Sequence, residues 1–266
     1  MPTLKANGIT LNYQIDGDSG TKGTIVLING LADDLASWGF QTPAFVDAGY
    51  RVLSFDNRGI GASDKPAGAY TSRQMADDAK ALVDHLKITG FHLMGVSMGG
   101  MIAQEFALAY PGDLKSVTLA CTYGVADPFC QNMFAMWADI AKKIDVPFVM
   151  RDVSLWAFTG PFFEDRPAEA AEFAEAMAGL PMTLEAYLSQ LNVIQKHDAL
   201  ARAKAIKVPT LVLAGEEDIL IPVRLSKRLH DAIPGAEWKT TPGGHACLWE
   251  TPAPFNATFL DFIAKH

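Results

Sequence analysis

The sequence predicts an α/β fold built on one doubly wound, mostly parallel β-sheet. Three observations predict it: short apolar runs, helical patterns between these runs, and a single long interruption that has only helical character. Continuous apolar runs are typical of strands that are buried on both faces of a parallel sheet. Strands that alternate with helices along the chain indicate that the helices cover both faces of this sheet.

Seven segments have strand character. They are residues 10–16, 24–29, 51–55, 91–96, 116–121, 208–214 and 236–241. The first of them follows a turn at Asn7-Gly8 and alternates polar with apolar residues, which predicts a strand at an exposed edge of the sheet. Helical patterns predict helices at residues 38–48, 72–87, 98–110 and 253–264.

No strand-like run occurs between Tyr123 and Lys204, where prolines separate several helical stretches. An interruption of roughly eighty residues inside a compact domain is usually functional, and it is often a lid over a site. We therefore predict a core domain of residues 1–122 and 205–266, and a helical cap of residues 123–204.

Charge and composition limit the partners of the chain. The formal net charge is −8 and no basic run occurs, so nucleic acid is not an expected partner. No secretory signal and no apolar stretch of membrane-spanning length occurs, which predicts a cytoplasmic protein without a membrane partner. Cys121, Cys130 and Cys247 match no zinc pattern, so we expect three free thiols and no metal or cofactor. The oligomeric state does not follow from the sequence.

A candidate nucleophile lies where the strand at 91–96 meets the next helix. The segment Gly95-Val96-Ser97-Met98-Gly99 is a G-x-S-x-G match in a strand–turn–helix context. Such a turn holds the serine in a strained conformation and lifts its hydroxyl group clear of the sheet. The motif alone is weak, but this context predicts that Ser97 is the nucleophile of a hydrolase.

The partners of a nucleophilic serine should follow it in the order carboxylate, then histidine. Asp218 follows the strand at 208–214 and His245 follows the strand at 236–241. Both are at carboxyl ends of strands, on the sheet edge where Ser97 lies and where open α/β sheets place their sites. We predict that His245 is the general base and that Asp218 orients it. Two alternatives stay open: Glu216 or Glu217 in place of Asp218, and His197 as the strongest of the other five histidines.

Acyl transfer also requires donors for the oxyanion that develops on the substrate. The backbone N–H of Met98, which follows the nucleophile, is the first candidate. The second is the backbone N–H of Leu31, in the loop after the strand at 24–29, where Gly30 allows a close approach.

These stretches resemble the α/β-hydrolase superfamily, in the branch of small esterases, cofactor-free haloperoxidase-like enzymes and 3-oxoadipate enol-lactonases. The resemblance covers the chain apart from the cap. The matching stretches are Asn29-Gly30 with Trp38, residues 55–63, residues 95–100, Gly215–Asp218 with Pro222, and Gly244-His245. The resemblance implies a mostly parallel eight-stranded sheet, and it implies that Asp56 and Arg58 are scaffold residues.

Position 29 departs from the family pattern, because Asn29-Gly30 stands where the family usually has His-Gly. Enol-lactonase-like members often lack this histidine too, so the change favours lactones or activated esters. Haloalkane dehalogenases and epoxide hydrolases of this fold are excluded, because they require aspartate at position 97.

The cap is rich in aromatic residues and methionines, which could line an apolar pocket. Trp137, Trp156 and Phe158 are the best candidates for substrate contacts, although most such residues must simply bury the cap. The sequence thus predicts a cofactor-independent serine hydrolase of a small, largely apolar ester or lactone. Two alternatives stay open: a C–C bond hydrolase of a β-diketone or ring-fission product (or a hydroxynitrile-lyase-like enzyme), and a small-molecule receptor.

Overall fold

The computed structural model describes residues 1–17 and 21–266. Eight strands of these residues form one sheet. They are β1 (Thr3–Ala6), β2 (Ile9–Asp16), β3 (Thr24–Ile28), β4 (Arg51–Phe55), β5 (Phe91–Val96), β6 (Leu114–Ala120), β7 (Thr210–Gly215) and β8 (Glu237–Thr241). The spatial order is β1-β2-β4-β3-β5-β6-β7-β8, and β2 pairs antiparallel with both β1 and β4. All other pairs are parallel, so the predicted mostly parallel, eight-stranded α/β fold is confirmed.

The prediction that residues 10–16 form an edge strand is wrong. The turn at Asn7-Gly8 folds a short strand, Thr3–Ala6, back onto β2, so that β1 occupies the edge. Two of its four residues are exposed, and so short a segment shows no periodicity that would identify it.

Eleven α-helices occur among the described residues. They are α1 (Thr42–Asp47), α2 (Ser72–His85), α3 (Met98–Ala109), α4 (Pro128–Lys143), α5 (Val146–Ala157), α6 (Gly160–Asp165), α7 (Pro167–Ala178), α8 (Leu184–Lys196), α9 (Val223–Ala232), α10 (Cys247–Glu250) and α11 (Pro252–Ile263). The sheet separates two apolar layers: α2 and α3 pack on one face, and α1 and α11 pack on the other. The five helices α4–α8 all lie in the connection between β6 and β7, within the segment predicted as the cap.

The helix starts in this connection follow from local sequence. Asp127, Asp145, Thr159 and Thr183 each accept a backbone N–H bond at the first turn of the following helix. In the first three helices a proline follows, which suits the first helical turn because its missing N–H would have no partner there. None of the helices in the described ranges is long and apolar enough to cross a membrane.

Candidate active site

Ser97 lies at a sharp turn between β5 and α3. Its backbone φ of +58° falls in the left-handed region, which a residue other than glycine adopts only under constraint. A Cβ at Gly95 would lie 2.1 Å from the Gly99 carbonyl oxygen, and one at Gly99 would lie 2.1 Å from the Ile28 carbonyl oxygen. The glycines on either side of Ser97 are therefore required by close backbone packing at the turn.

His245 and Asp218 are joined by a hydrogen bond of 2.8 Å between His245 Nδ1 and Asp218 Oδ2. The second carboxylate oxygen, Oδ1, accepts the backbone N–H of Ile221 at 2.8 Å, which fixes the carboxylate plane. Asp218 is only 4% exposed, whereas Glu216 and Glu217 are exposed to solvent. Of the three acidic residues after β7, the structure thus joins Asp218 to the histidine.

The surroundings of His245 raise its pKa above the ordinary value of 6.5. Burial of the imidazole alone would lower this pKa, but the charge of Asp218 and its hydrogen bond to Nδ1 outweigh that effect. The bond at Nδ1 leaves Nε2 free to accept a proton. No hydrogen bond joins Ser97 and His245 within the described residues, which is common in free enzymes, where such contacts tighten when substrate binds.

The backbone N–H groups of Leu31 and Met98 have no acceptor within the described part of the chain. Met98 is the first residue of α3, where backbone N–H groups have no partner within the helix, so both N–H groups are available to an external acceptor. The Asn29 side chain braces the loop that contains Leu31. Its Nδ2 donates to the Asp34 carbonyl oxygen at 2.6 Å, and its Oδ1 accepts from Trp38 Nε1 at 2.9 Å.

Gln190 of α8 connects the helical insertion to the same loop, a contact that could not be predicted from the sequence. Its Oε1 accepts the backbone N–H of Ala32 at 2.9 Å, and its Nε2 donates to the Arg58 carbonyl oxygen at 2.8 Å. Gln190 is fully buried, and Ala32 has a φ of +56°. The amide therefore fixes a strained residue next to Leu31.

Asp56 and Arg58 make buried contacts away from Ser97, in keeping with their predicted scaffold role. Asp56 Oδ1 accepts the backbone N–H of Leu35 at 2.9 Å, which anchors the far end of the Leu31 loop. Arg58 forms a two-bond ion pair with the buried Asp78, with both contacts at 2.6 Å.

A cavity of about 70 Å³, here called the catalytic cavity, lies between the carboxyl ends of the parallel strands and the helical insertion. Ser97 and His245 both border it, together with Gly30, Leu31 and Asp33. The remaining lining residues are all apolar or aromatic. They are Val96, Met101, Phe134, Trp137, Met150, Val153, Ala157, Phe173, Met177, Ile194, Leu220, Ile221, Leu248 and Trp249.

A second cavity of about 460 Å³, here called the outer cavity, shares Phe173, Met177 and Trp249 with the catalytic cavity. The rings of Phe173 and Trp249 are in contact, with centroids 4.9 Å apart. These side chains therefore form the wall between the two spaces.

The three residues of the helical insertion that were predicted to contact substrate lie in different places. Trp137 borders the catalytic cavity, whereas Phe158 borders the outer cavity and stacks on Phe162. Trp156 borders neither cavity, and its Nε1 donates to Asp152 Oδ2 at 3.2 Å. Trp137 Nε1 donates to the same oxygen at 3.1 Å, so the two tryptophans share a hydrogen-bond partner, but only Trp137 borders the catalytic cavity.

His197 does not border the catalytic cavity. Its ring nitrogens pair with Ser72 Oγ at 3.0 Å and Gln104 Oε1 at 3.3 Å, and burial lowers its pKa to about 4. These contacts identify a neutral histidine that links α2, α3 and the end of α8.

The three cysteines are free and buried. Cys121 lies with Asp218 and His245 in the one group of metal-ligand side chains found among the described residues. His245 Nδ1 and Asp218 Oδ2 already bond to each other in this group, and Cys121 Sγ lies 3.6 Å from Cys247 Sγ. Each of the three side chains in this group thus already has a polar partner within the protein.

Asp33 is a polar residue of the catalytic cavity that was not identified from the sequence. It is 7% exposed, and its Oδ1 accepts a hydrogen bond from Ser37 Oγ. Burial raises the pKa of this carboxyl group to about 7, although the bond from Ser37 acts in the opposite direction. Its position two residues after Leu31, in the loop predicted to supply an oxyanion donor, is the feature of the sequence that could have identified it.

A doubly wound sheet with a serine at a strand-to-helix turn, and an aspartate–histidine pair after later strands, defines the α/β-hydrolase class of proteins. A sequence profile of the α/β-hydrolase fold matches residues 23–252. The chain belongs to the α/β-hydrolase family.

Several relatives are similar over nearly the whole chain. The 3-oxoadipate enol-lactonase 2 of Acinetobacter baylyi is 29% identical, with 96% of this chain and 93% of the lactonase covered. The crystal structure of the enol-lactonase from Burkholderia xenovorans LB400 has a TM-score of 0.90 and 31% identity, covering 99% of this chain and 100% of that one. A thermophilic esterase from Thermogutta terrifontis has a TM-score of 0.88 and 25% identity, covering 100% and 99%. The family and these relatives identify the chain as a hydrolase.

Proposed function

We propose that the chain is a cofactor-independent serine hydrolase that cleaves a carboxylic ester or lactone through an acyl-enzyme on Ser97. One observation carries this proposal: Ser97 and His245 border the same apolar cavity, and His245 is hydrogen-bonded to a buried carboxylate of Asp218. A nucleophile, a base and an orienting acid in this arrangement are the requirements of acyl transfer.

In the first half-reaction, Ser97 Oγ attacks the substrate carbonyl carbon while His245 Nε2 takes the hydroxyl proton. The N–H groups of Leu31 and Met98 stabilise the oxyanion of the tetrahedral intermediate. The intermediate collapses when the carbon–oxygen bond to the leaving group breaks, and His245 returns the proton to the departing alcohol. Asp218 holds the imidazole in the required tautomer and stabilises its positive charge.

In the second half-reaction, His245 takes a proton from water, and the resulting hydroxide attacks the acyl carbon. The ester bond to Ser97 breaks, and His245 returns the proton to Ser97 Oγ. The carboxylic acid then leaves, so the cycle consumes one water and restores the enzyme.

The proposed substrate is uncharged and largely apolar close to the bond that breaks. No lysine or arginine is among the described residues that line the catalytic cavity, and the basic residues of the insertion lie elsewhere. Arg151, for example, pairs with Glu175 at the surface, and Arg202 pairs with Glu105. A lactone with a carboxylate near its reacting carbonyl would therefore lack a counter-charge.

The test is a pre-steady-state assay with 4-nitrophenyl esters, followed by a substrate panel. We expect a burst of one nitrophenolate per chain and a mass increase equal to the acyl group on Ser97. A panel of lactones, short- to medium-chain esters and β-diketones then separates ester hydrolysis from C–C bond hydrolysis. Binding of esters without a burst or turnover would instead indicate a receptor.

The pH dependence of kcat/KM should have its acid limb above pH 6.5. His245 can accept the Ser97 proton only as neutral imidazole, and its raised pKa means that it stays protonated to a higher pH than an ordinary histidine. Below that pKa the rate should fall about tenfold per pH unit. Initial rates across pH 5–9 with a neutral ester measure this limb, and a limb below pH 6 would contradict the assignment.

The cap should set substrate preference through Trp137. We expect Trp137→Phe to raise KM and shift the preferred acyl length, by about tenfold in kcat/KM between adjacent chain lengths, with little change in kcat. Such a pattern follows because the indole contacts the substrate equally in the ground and transition states.

Trp156→Phe is the matched control, because it removes a bond to the same Asp152 oxygen without altering the cavity wall. This control should lower the melting temperature and leave the acyl-length profile as in the wild type. Equal length profiles for the two variants would show that Trp137 only buries the cap.

A further inference from the structure

Asp33 is the one carboxyl group that borders the catalytic cavity among the described residues. The Ser37 hydroxyl occupies its Oδ1, while Oδ2 accepts no hydrogen bond from the described part of the chain. A Cβ placed on Gly30 would lie 3.9 Å from this Oδ2 and 3.4 Å from Ser97 Cβ. The free oxygen and the nucleophile therefore flank the same glycine.

We propose that Asp33 binds substrate: as a neutral carboxyl group, it donates a hydrogen bond from Oδ2 to an oxygen that the ester or lactone carries near its reacting carbonyl. This proposal rests on the proposed function. It specifies the substrate class further, as an apolar ester or lactone with a second oxygen acceptor, such as a keto or ether oxygen.

The surroundings favour the neutral form of Asp33 over the carboxylate. The elements of the insertion present only apolar side chains to the cavity, so an ionised Asp33 would have no cationic partner there. The charged groups close by are Asp34, which disfavours a second negative charge, and His245, which favours one only when protonated. Burial is the largest effect, and with it the pKa of Asp33 is about 7.

A neutral carboxyl has a donor where a carboxylate has only acceptors, so the two forms select different substrates. The neutral form binds an ether or keto oxygen, whereas the carboxylate would bind an ammonium or amide N–H. Because Oδ1 already accepts from Ser37, the proton is best placed on Oδ2, next to the substrate.

The experiment is an oxygen scan of the acyl chain. In a series of 4-nitrophenyl esters, one methylene is replaced by an ether oxygen at each position, as in methoxyacetate against butanoate. The ratio of kcat/KM for each ether to that for its methylene counterpart is compared between wild type and variants, which cancels the intrinsic reactivity of the esters. We expect one position at which the wild-type ratio is high at pH 6 and falls as the pH rises above 7.

Two variants separate the neutral carboxyl from its alternatives. Asp33→Asn places an N–H donor at the same position and should keep the ether preference both at pH 6 and above pH 7. Asp33→Leu should reduce that preference about tenfold, the usual loss when one hydrogen bond is removed. Asp34→Asn alters the neighbouring carboxyl group, which does not border the catalytic cavity, and should keep the ether preference at pH 6. Because Asp34 raises the pKa of Asp33, this variant should lose the preference at a lower pH than the wild type.

The proposal is overturned if no position of the scan responds to Asp33, if Asp33→Asn behaves like Asp33→Leu, or if the ether preference grows with pH. Calorimetric binding of 4-nitrophenyl methoxyacetate and butanoate to Ser97→Ala gives the same comparison without turnover. Failure of the proposed function would appear separately, as the absence of hydrolysis for every ester in the series. The binding comparison would still decide the role of Asp33 in that case.

Discussion

Ser97→Ala is expected to lower kcat for ester hydrolysis by about a million-fold, because the acyl-enzyme can no longer form. Among the described residues that border the catalytic cavity, Ser97 is the one with a hydroxyl group. No neighbouring hydroxyl group can therefore replace it as the nucleophile. Initial rates with a 4-nitrophenyl ester measure the loss, and the mass of the protein after reaction shows whether an acyl group is attached.

The fold should tolerate this substitution. Alanine keeps the Cβ at a position where φ is +58°, and the side chain of Ser97 makes no hydrogen bond within the described residues on which the turn depends. Circular dichroism and thermal unfolding provide the control for folding. A folded variant with a tenth of the wild-type turnover would contradict the proposed mechanism.

The parallel part of the sheet could be predicted because its strands leave a signal in the local sequence. Strands such as Arg51–Phe55 and Phe91–Val96 are buried apolar runs, and the predicted bounds of both agree with the structure. The strand Thr3–Ala6 gives no such signal, because it lies at the sheet edge and is held in place by pairing with β2. Its existence depends on the partner strand rather than on its own composition.

The proposed nucleophile, base and acid could be found from the sequence because each follows a strand that ends at the same sheet edge. Chain order and strand direction are enough to predict this shared position. Asp33 and Gln190 could not be found in this way. Asp33 acquires its significance from burial under the helical insertion, and Gln190 reaches a backbone N–H 158 positions away in the chain.

The tryptophans of the insertion show a further limit of sequence reasoning. Trp137 and Trp156 lie on consecutive helices and donate to the same Asp152 oxygen, yet only Trp137 borders the catalytic cavity. Several faces of these helices are apolar, because α4 and α5 pack against each other as well as against the core. Hydrophobic periodicity identifies such helices but does not tell which face meets a cavity.

Asp218→Asn is expected to lower kcat by about ten-thousand-fold while the protein remains folded. The amide has the same size, and its oxygen can still accept the Ile221 N–H that Asp218 Oδ1 accepts in the structure. The amide nitrogen would then face His245 Nδ1 and donate to it. The imidazole would consequently hold its proton on Nε2, where it cannot accept the proton of Ser97.

The pH profile separates this effect from a merely structural one. Asp218→Asn removes the negative charge of Asp218, the largest of the effects that raise the pKa of His245, so this pKa should fall and the acid limb of kcat/KM should move to lower pH. Glu216→Gln and Glu217→Gln remove the same charge from exposed positions after the same strand, and they should leave both kcat and the acid limb nearly unchanged. A larger loss from either glutamine variant than from Asp218→Asn would assign the orienting role to a glutamate and refute the proposed triad.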